Sequence, residues 1–250
     1  MSDKSGISWT DATWNPTTGC DRVSPGCAHC YALDLAARLK KMGAPAYQND
    51  GDPRTSGPGF SLALHPDRLD LPLRWQKPRR VFVNSMSDLF HPLVPSSFIR
   101  RVFVTMDRAD RHTFQVLTKR PERMRAWVAA NNELTVPTLP NVWLGTSIEN
   151  DRFVGRADDL RATQAAVRFV SAEPLLGPLP SLDLTGIGWL IVGGESGPDH
   201  RPMDPGWVVE LVAKAAAAGT AVWIKQDSGP RSGQQGRLAD DLWARKEYPR

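Results

Sequence analysis

Three cysteines carry the most specific chemistry in this chain. Cys20, Cys27 and Cys30 are its full complement among 250 residues, and they fall within eleven positions of the stretch TTGCDRVSPGCAHCYALDLAARLKK, spaced C-x6-C-x2-C. An odd count cannot form a complete disulfide framework, so ligation of a metal or cluster is the chemistry such crowding suits. Four ligands close a structural zinc site, whereas three leave one coordination position open. Iron–sulfur clusters are also held by thiolates, and three cysteines would leave one iron free for an outside ligand. Two other readings stay open: zinc on the three cysteines plus His29, His65, His91, His112 or His200, and three unrelated buried thiols.

A second set of reactive residues is spread along the chain. Asp88, Lys119, Glu149, Glu173, Glu195 and Lys225 each lie in a polar cluster that ends a β-branched or aromatic run. The runs occupy residues 80–90, 113–124, 141–150, 167–177, 189–198 and 221–229, and each reads as a buried strand breaking into a loop. Helical stretches at 95–109, 121–130 and 204–218 separate several of them, the last with Asp204 as cap and Gly219 as stop. Strands alternating with helices imply parallel βαβ units. With ISWTDATWNP as a first strand and residues 31–41 as its helix, the count reaches seven.

The fold expected is therefore α/β, a full or partial (β/α) TIM-like barrel in one domain. Residues 43–79, rich in Pro, Gly and Asp, read as an irregular insertion, and residues 228–250 as a C-terminal tail. Parallel barrels place chemistry at the C-terminal ends of their strands. The six charged residues would thus line one mouth, with Lys119, Glu195 and Lys225 as candidates for substrate orientation or proton transfer.

Composition sets wider bounds. The chain is 41% hydrophobic and 23% charged, with net charge +4 and pI near 9.1, which permits an anionic partner such as a nucleic acid or nucleotide. The N-terminus lacks a basic segment followed by an apolar run, and no stretch has the length to span a bilayer, so a cytoplasmic protein without membrane contact is expected. A non-catalytic alternative is a zinc-containing nucleic-acid-binding protein using Arg79, Arg80, Arg100, Arg101, Lys119, Arg120, Arg123 and Arg125. Trp143, Trp189 and Trp223 fall within strand runs and read as core rather than as base-stacking platforms.

The three-cysteine loop at the head of a (β/α) barrel resembles the radical S-adenosylmethionine superfamily, whose usual spacing is C-x3-C-x2-C. WNPTTGC, SPGCAHCYA, VFVNSMSDLFH, VLTKRPERM, NVWLGTSIEN, SAEPLLGPL, GGESGP and WIKQ together resemble, more closely, an often phage-encoded family with a three-cysteine motif. The resemblance implies a [4Fe-4S] cluster on Cys20, Cys27 and Cys30. It also implies S-adenosylmethionine at the open iron, an electron donor of flavodoxin or ferredoxin type, and a 5′-deoxyadenosyl radical that abstracts hydrogen from the substrate. By position, His29 would lie near the adenine. Ser85, Ser87 and Asp88 would receive the methionyl amine, Ser147 and Glu149 the ribose, and Glu173 would lie near the adenine or the substrate. Three extra residues between Cys20 and Cys27 require that loop to bulge. A degenerate barrel acting through a protein partner is a further alternative.

Overall fold

The computed structural model describes residues 5–131 and 139–249. Its backbone divides into two compact units, residues 1–6 with 10–118, and residues 7–9 with 119–250.

The first unit is built on three parallel strands, β1 (Ala12–Trp14), β4 (Arg80–Val83) and β5 (Thr113–Thr118), with β4 between the other two. A short antiparallel pair, β2 (Thr17–Thr18) with β3 (Ala63–Leu64), lies beyond the exit of β1. Helix α1 (Tyr31–Lys41) places Asp34 in its first turn and Arg38, Lys40 and Lys41 in its last, a distribution that complements the helix dipole. Helix α3 (Ser96–Arg108) buries Phe98, Ile99, Val102, Phe103 and Met106 along one stripe. The region expected to be irregular holds β3, the four-residue helix α2 (Leu71–Arg74) and two 3-10 turns. Side chains tie it down: the Trp14 indole donates to the Arg68 carbonyl at 2.8 Å, and His112 Nε2 lies 3.0 Å from the Pro72 carbonyl.

The second unit carries four parallel strands in chain order, β6 (Val142–Ser147), β7 (Val167–Ala172), β8 (Trp189–Gly193) and β9 (Ala221–Gln226). All five residues of β8 are buried, the pattern of a parallel strand covered on both faces. Helix α4 (Pro121–Ala130) precedes β6, α5 (Arg156–Arg161) lies between β6 and β7, and α6 (Pro205–Ala218) lies between β8 and β9. In α6 the Asp204 side chain accepts from the Gly206 amide at 2.8 Å, and Gly219 closes the helix at φ +69°, as the sequence signals imply.

Trp189 is fully buried and packs against Trp9, Trp143, Phe169 and Tyr248 at centroid distances of 5.5–6.0 Å. Tryptophans that fill the core are not platforms for bases. The C-terminal segment includes α7 (Asp240–Trp243) and then pairs antiparallel to β9, with Ile224 donating to the Arg245 carbonyl and Glu247 to the Val222 carbonyl, each at 2.9 Å. The expected tail thus serves as an edge cover for β9.

All seven strands named from the sequence are present and parallel, and the fold is a partial (β/α) barrel. Among the described residues no helix is long and apolar enough to cross a membrane.

Candidate functional site

The cysteine loop leaves the C-terminal end of β1 and is laced to the turn that ends the adjacent strand β4. Asn84 opens that turn in the left-handed region at φ +64°, a conformation that asparagine tolerates better than most residues. Its Nδ2 donates to Thr17 Oγ1 at 3.0 Å, and Thr17 Oγ1 lies 2.6 Å from Ser87 Oγ. The Gly19 amide donates to the Met86 carbonyl at 3.0 Å, Asn15 Oδ1 accepts from the Met86 amide at 3.0 Å, and Tyr31 Oη donates to the Ser85 carbonyl at 2.6 Å. At Gly19, φ is +86° and an added Cβ would lie 2.1 Å from the Ser61 carbonyl oxygen, so the loop passes only because no side chain is there.

Cys20 and Cys30 pack against one apolar cluster formed by Ala32, Ala36, Phe60 and Met86, and Cys30 occupies the cap position of α1. Cys27 ends a 3-10 turn, with its Sγ 3.8 Å from Ser24 Oγ. None of the three cysteines forms a disulfide, and all three are half-buried. Among the described residues no three His, Cys, Asp or Glu side chains are gathered as a metal-holding group. The donor set nonetheless has the chemistry of a thiolate-held group: three cysteine sulfurs outside any disulfide on one loop, one of them at a helix start.

His29 is exposed on this loop. His65 Nε2 lies 2.8 Å from Thr18 Oγ1, and burial, its main influence, holds its pKa below the ordinary value. His91 Nδ1 accepts from the Leu93 amide at 3.3 Å, which leaves Nε2 to carry the proton facing the Asp21 carboxylate 2.8 Å away. Asp21 also accepts from Thr55 Oγ1 at 2.6 Å, so the residue after Cys20 is pinned from two sides. Asp88 is buried, and its Oδ1 accepts from the Phe90 amide at 2.9 Å and from Thr118 Oγ1 at 2.7 Å.

The remaining site residues belong to the second unit, and each charged one is in an ion pair. Glu149, beyond β6 and 0% exposed, is held by Lys119 and by Arg156, the latter at 3.0 Å. Arg156 also donates to the carbonyl of buried Ser147 at 2.8 Å. Glu173, beyond β7, meets Lys225 on β9 at 2.8 Å and accepts from Ser171 Oγ at 3.1 Å. Glu195, beyond β8, is gripped by the Arg201 guanidinium and also accepts from the Arg201 amide at 2.9 Å. A fourth pair involves two residues absent from the sequence reading, Asp227 beyond β9 with Arg237 at 2.8 Å.

The Glu195 side-chain hydrogen bond, outweighing burial and aided by the charges of Glu195 and Glu149, raises the Arg201 pKa above its already high value. Burial works to raise Asp227, yet hydrogen bonds from Arg237 and from the Ser228 amide leave it below the ordinary carboxylate value. Arg156, Arg201 and Arg237 were missed; the sequence marks only two of their acidic partners, Glu195 and Asp227, through the repeated ESGP at 195–198 and DSGP at 227–230 that end successive strands.

The GGE segment also acquires a reason. A Cβ on Gly193 would lie 2.7 Å from Glu173 Oε1, and one on Gly194 would lie 2.2 Å from the Ser228 amide nitrogen. Gly193 thus makes room for the Glu173 carboxylate on its way to β9, Gly194 for the β9 exit loop, and Glu195 holds Arg201. A cavity of about 780 Å³ opens at the opposite, N-terminal ends of β7–β9, away from every one of these groups.

No curated protein and no solved structure matches the chain. Residues 4–246 match a family model described as a protein of unknown function, DUF5131.

Proposed function

The chain therefore belongs to the DUF5131 family of proteins of unknown function, and we propose that it is a radical S-adenosylmethionine-type enzyme. One observation carries the reading. Three half-buried cysteines, none of them in a disulfide, share a loop at the C-terminal end of a parallel strand, and that loop is hydrogen-bonded to the serine-rich turn ending the neighbouring strand. Parallel barrels gather their chemistry at such ends.

In this reading Cys20, Cys27 and Cys30 hold a [4Fe-4S] cluster, and S-adenosylmethionine is the cosubstrate. Together the two supply one-electron cleavage of a sulfonium, leading to hydrogen abstraction from the substrate. The chain's own groups bind and orient. Ser85, Ser87 and Asp88 offer oxygen acceptors to a cationic amine, in a turn held rigid by Thr17, Asn15 and Asn84. Asp21, pinned by His91 and Thr55, fixes the start of the bulge that carries Cys20 toward Cys27. Lys119 and Lys225 are aimed by their ion pairs with Glu149 and Glu173.

The test is reductive cleavage of S-adenosylmethionine to 5′-deoxyadenosine by the anaerobically prepared protein under dithionite. Cleavage that disappears in Cys20→Ala, Cys27→Ala and Cys30→Ala is expected. A parent protein that holds a full cluster yet neither binds nor cleaves S-adenosylmethionine would overturn the proposal. A reductant of flavodoxin or ferredoxin type, a substrate related to nucleic acid or nucleotide, and a cytoplasmic location belong to the same proposal.

A further inference from the structure

A second cavity, of about 380 Å³, lies in the first unit between the C-terminal end of α1 and the residue that follows β1. Leu39, Ala44, Pro45, Ala46 and Tyr47 form most of its wall, and Asn15 and Arg68 supply the polar remainder. No carboxylate lines it. Two turns fix that wall. Beyond α1 the chain reverses at Gly43, φ +76°, and Pro45–Tyr47 form a 3-10 turn, with the Tyr47 side chain packed on the Ala32, Ala36, Phe60 and Met86 cluster that also carries Cys20 and Cys30. Arg68 ends the 3-10 turn Pro66–Arg68, and its carbonyl is held by the indole of fully buried Trp14.

The polar groups on this wall are donors with capacity to spare. Arg68 is half-buried, yet its guanidinium has no hydrogen bond and no ion pair among the described residues. Its charge acts on the Tyr47 phenol, which makes the two groups neighbours, and burial outweighs that charge and raises the Tyr47 pKa, so the phenol keeps its proton. The Tyr47 hydroxyl has no hydrogen-bond partner among the described residues either. Asn15 is buried, accepts from the Met86 amide on Oδ1 and donates from Nδ2 to Ser85 Oγ at 3.1 Å, which leaves one Nδ2 hydrogen unused.

We infer that this cavity binds a small monocarboxylate with an apolar body, its carboxylate on Arg68 and its body against Leu39, Ala44, Pro45 and Tyr47. A single cation without a counterion balances a single negative charge, and the planar guanidinium fork matches the two oxygens of a carboxylate. A phosphomonoester dianion would leave a charge uncompensated beside an apolar wall, which is costly. An acid without an apolar body would leave that wall to water and forgo the gain from covering it. The site uses none of the cysteines, so it stands or falls apart from the cluster.

The experiment is a ligand-observed NMR titration of the full-length protein as purified, with benzoate and hexanoate, the primary amide of each, acetate and phenyl phosphate. Its outcome does not depend on whether the protein holds iron or cleaves S-adenosylmethionine. Benzoate or hexanoate should bind about tenfold or more tightly than its own amide, and more tightly than acetate or phenyl phosphate. Arg68→Gln should weaken that acid by about ten- to hundredfold and erase its advantage over the amide. Ala46→Leu narrows the cavity with Arg68 intact and should also weaken the acid. Both variants should keep the parent's thermal transition, since the Arg68 guanidinium has no partner to lose among the described residues and Ala46 is only half-buried. Binding of neither acid, equal binding of acid and amide, tighter binding of phenyl phosphate, or undiminished affinity in a folded variant would each overturn the inference. If one variant fails to fold, the other decides.

Discussion

Around the cysteine loop the ties are mostly neutral: hydroxyls and amides of Asn15, Thr17, Asn84, Ser87 and Tyr31 join β1 to the turn after β4. At the exits of β6–β9 the ties are ionic, and four carboxylates, three of them buried and Glu173 nearly so, each hold at least one cation. Neutral bonds fix backbone geometry without setting a local charge, and the charged contact nearest the thiols is the one between Asp21 and His91. Ionic bonds do the reverse and fix charged side chains. The first region is suited to holding a group that brings its own charge, and the second to locking charged side chains in place. They should therefore fail in different ways.

The largest difference should come from Glu149→Ala, which leaves Lys119 and Arg156 beside an emptied anion position. Removing one partner of a buried pair destabilises by about 3 to 5 kcal/mol, readable as a lower urea midpoint. Gly194→Ala should rank next. Its Cβ meets backbone rather than a flexible side-chain tip, and overpacking of that kind costs about 1 to 3 kcal/mol. A smaller loss, about 1 kcal/mol, is expected of Thr17→Val, which removes a neutral hydroxyl shared by Asn84 and Ser87. A Thr17→Val effect equal to that of Glu149→Ala would erase the contrast between the regions.

The mildest effect is one of pH. Asp227 has a depressed folded-state pKa, so its contribution is present above the unfolded value of 3.8 and is lost as pH falls through the folded value. Acid unfolding of the parent should steepen below that point, and Asp227→Asn should flatten the curve there. An unchanged acid limb in Asp227→Asn would remove the ionic account of the β9 exit.

The strands were legible because each is a β-branched run closed by polar residues, and α6 because Asp204 and Gly219 mark its ends. The pairing of charges was not legible. Glu195 meets Arg201 six positions on, but Glu173 meets Lys225 across β8, and nothing local in the sequence signals that crossing. The glycines of GGE were visible, yet their purpose depends on the Glu173 carboxylate and the Ser228 backbone, which only tertiary structure brings near. For the cysteines the sequence supplied the spacing, while the stitches from Thr17 and Asn15 to the turn after β4 depend on β1 lying beside β4. The irregular look of residues 43–79 hid β3, since a two-residue strand paired with Thr17–Thr18 has too little periodicity to read.

The central claim is that the cysteine loop holds an iron–sulfur cluster. Iron, sulfide and zinc analysis of anaerobically purified parent, alongside Cys20→Ala, Cys27→Ala and Cys30→Ala, addresses it most directly. The account predicts roughly four irons and four sulfides per parent chain, with most of that iron lost in each variant. One zinc per chain without sulfide, or the same metal content in the parent and all three variants, would contradict it.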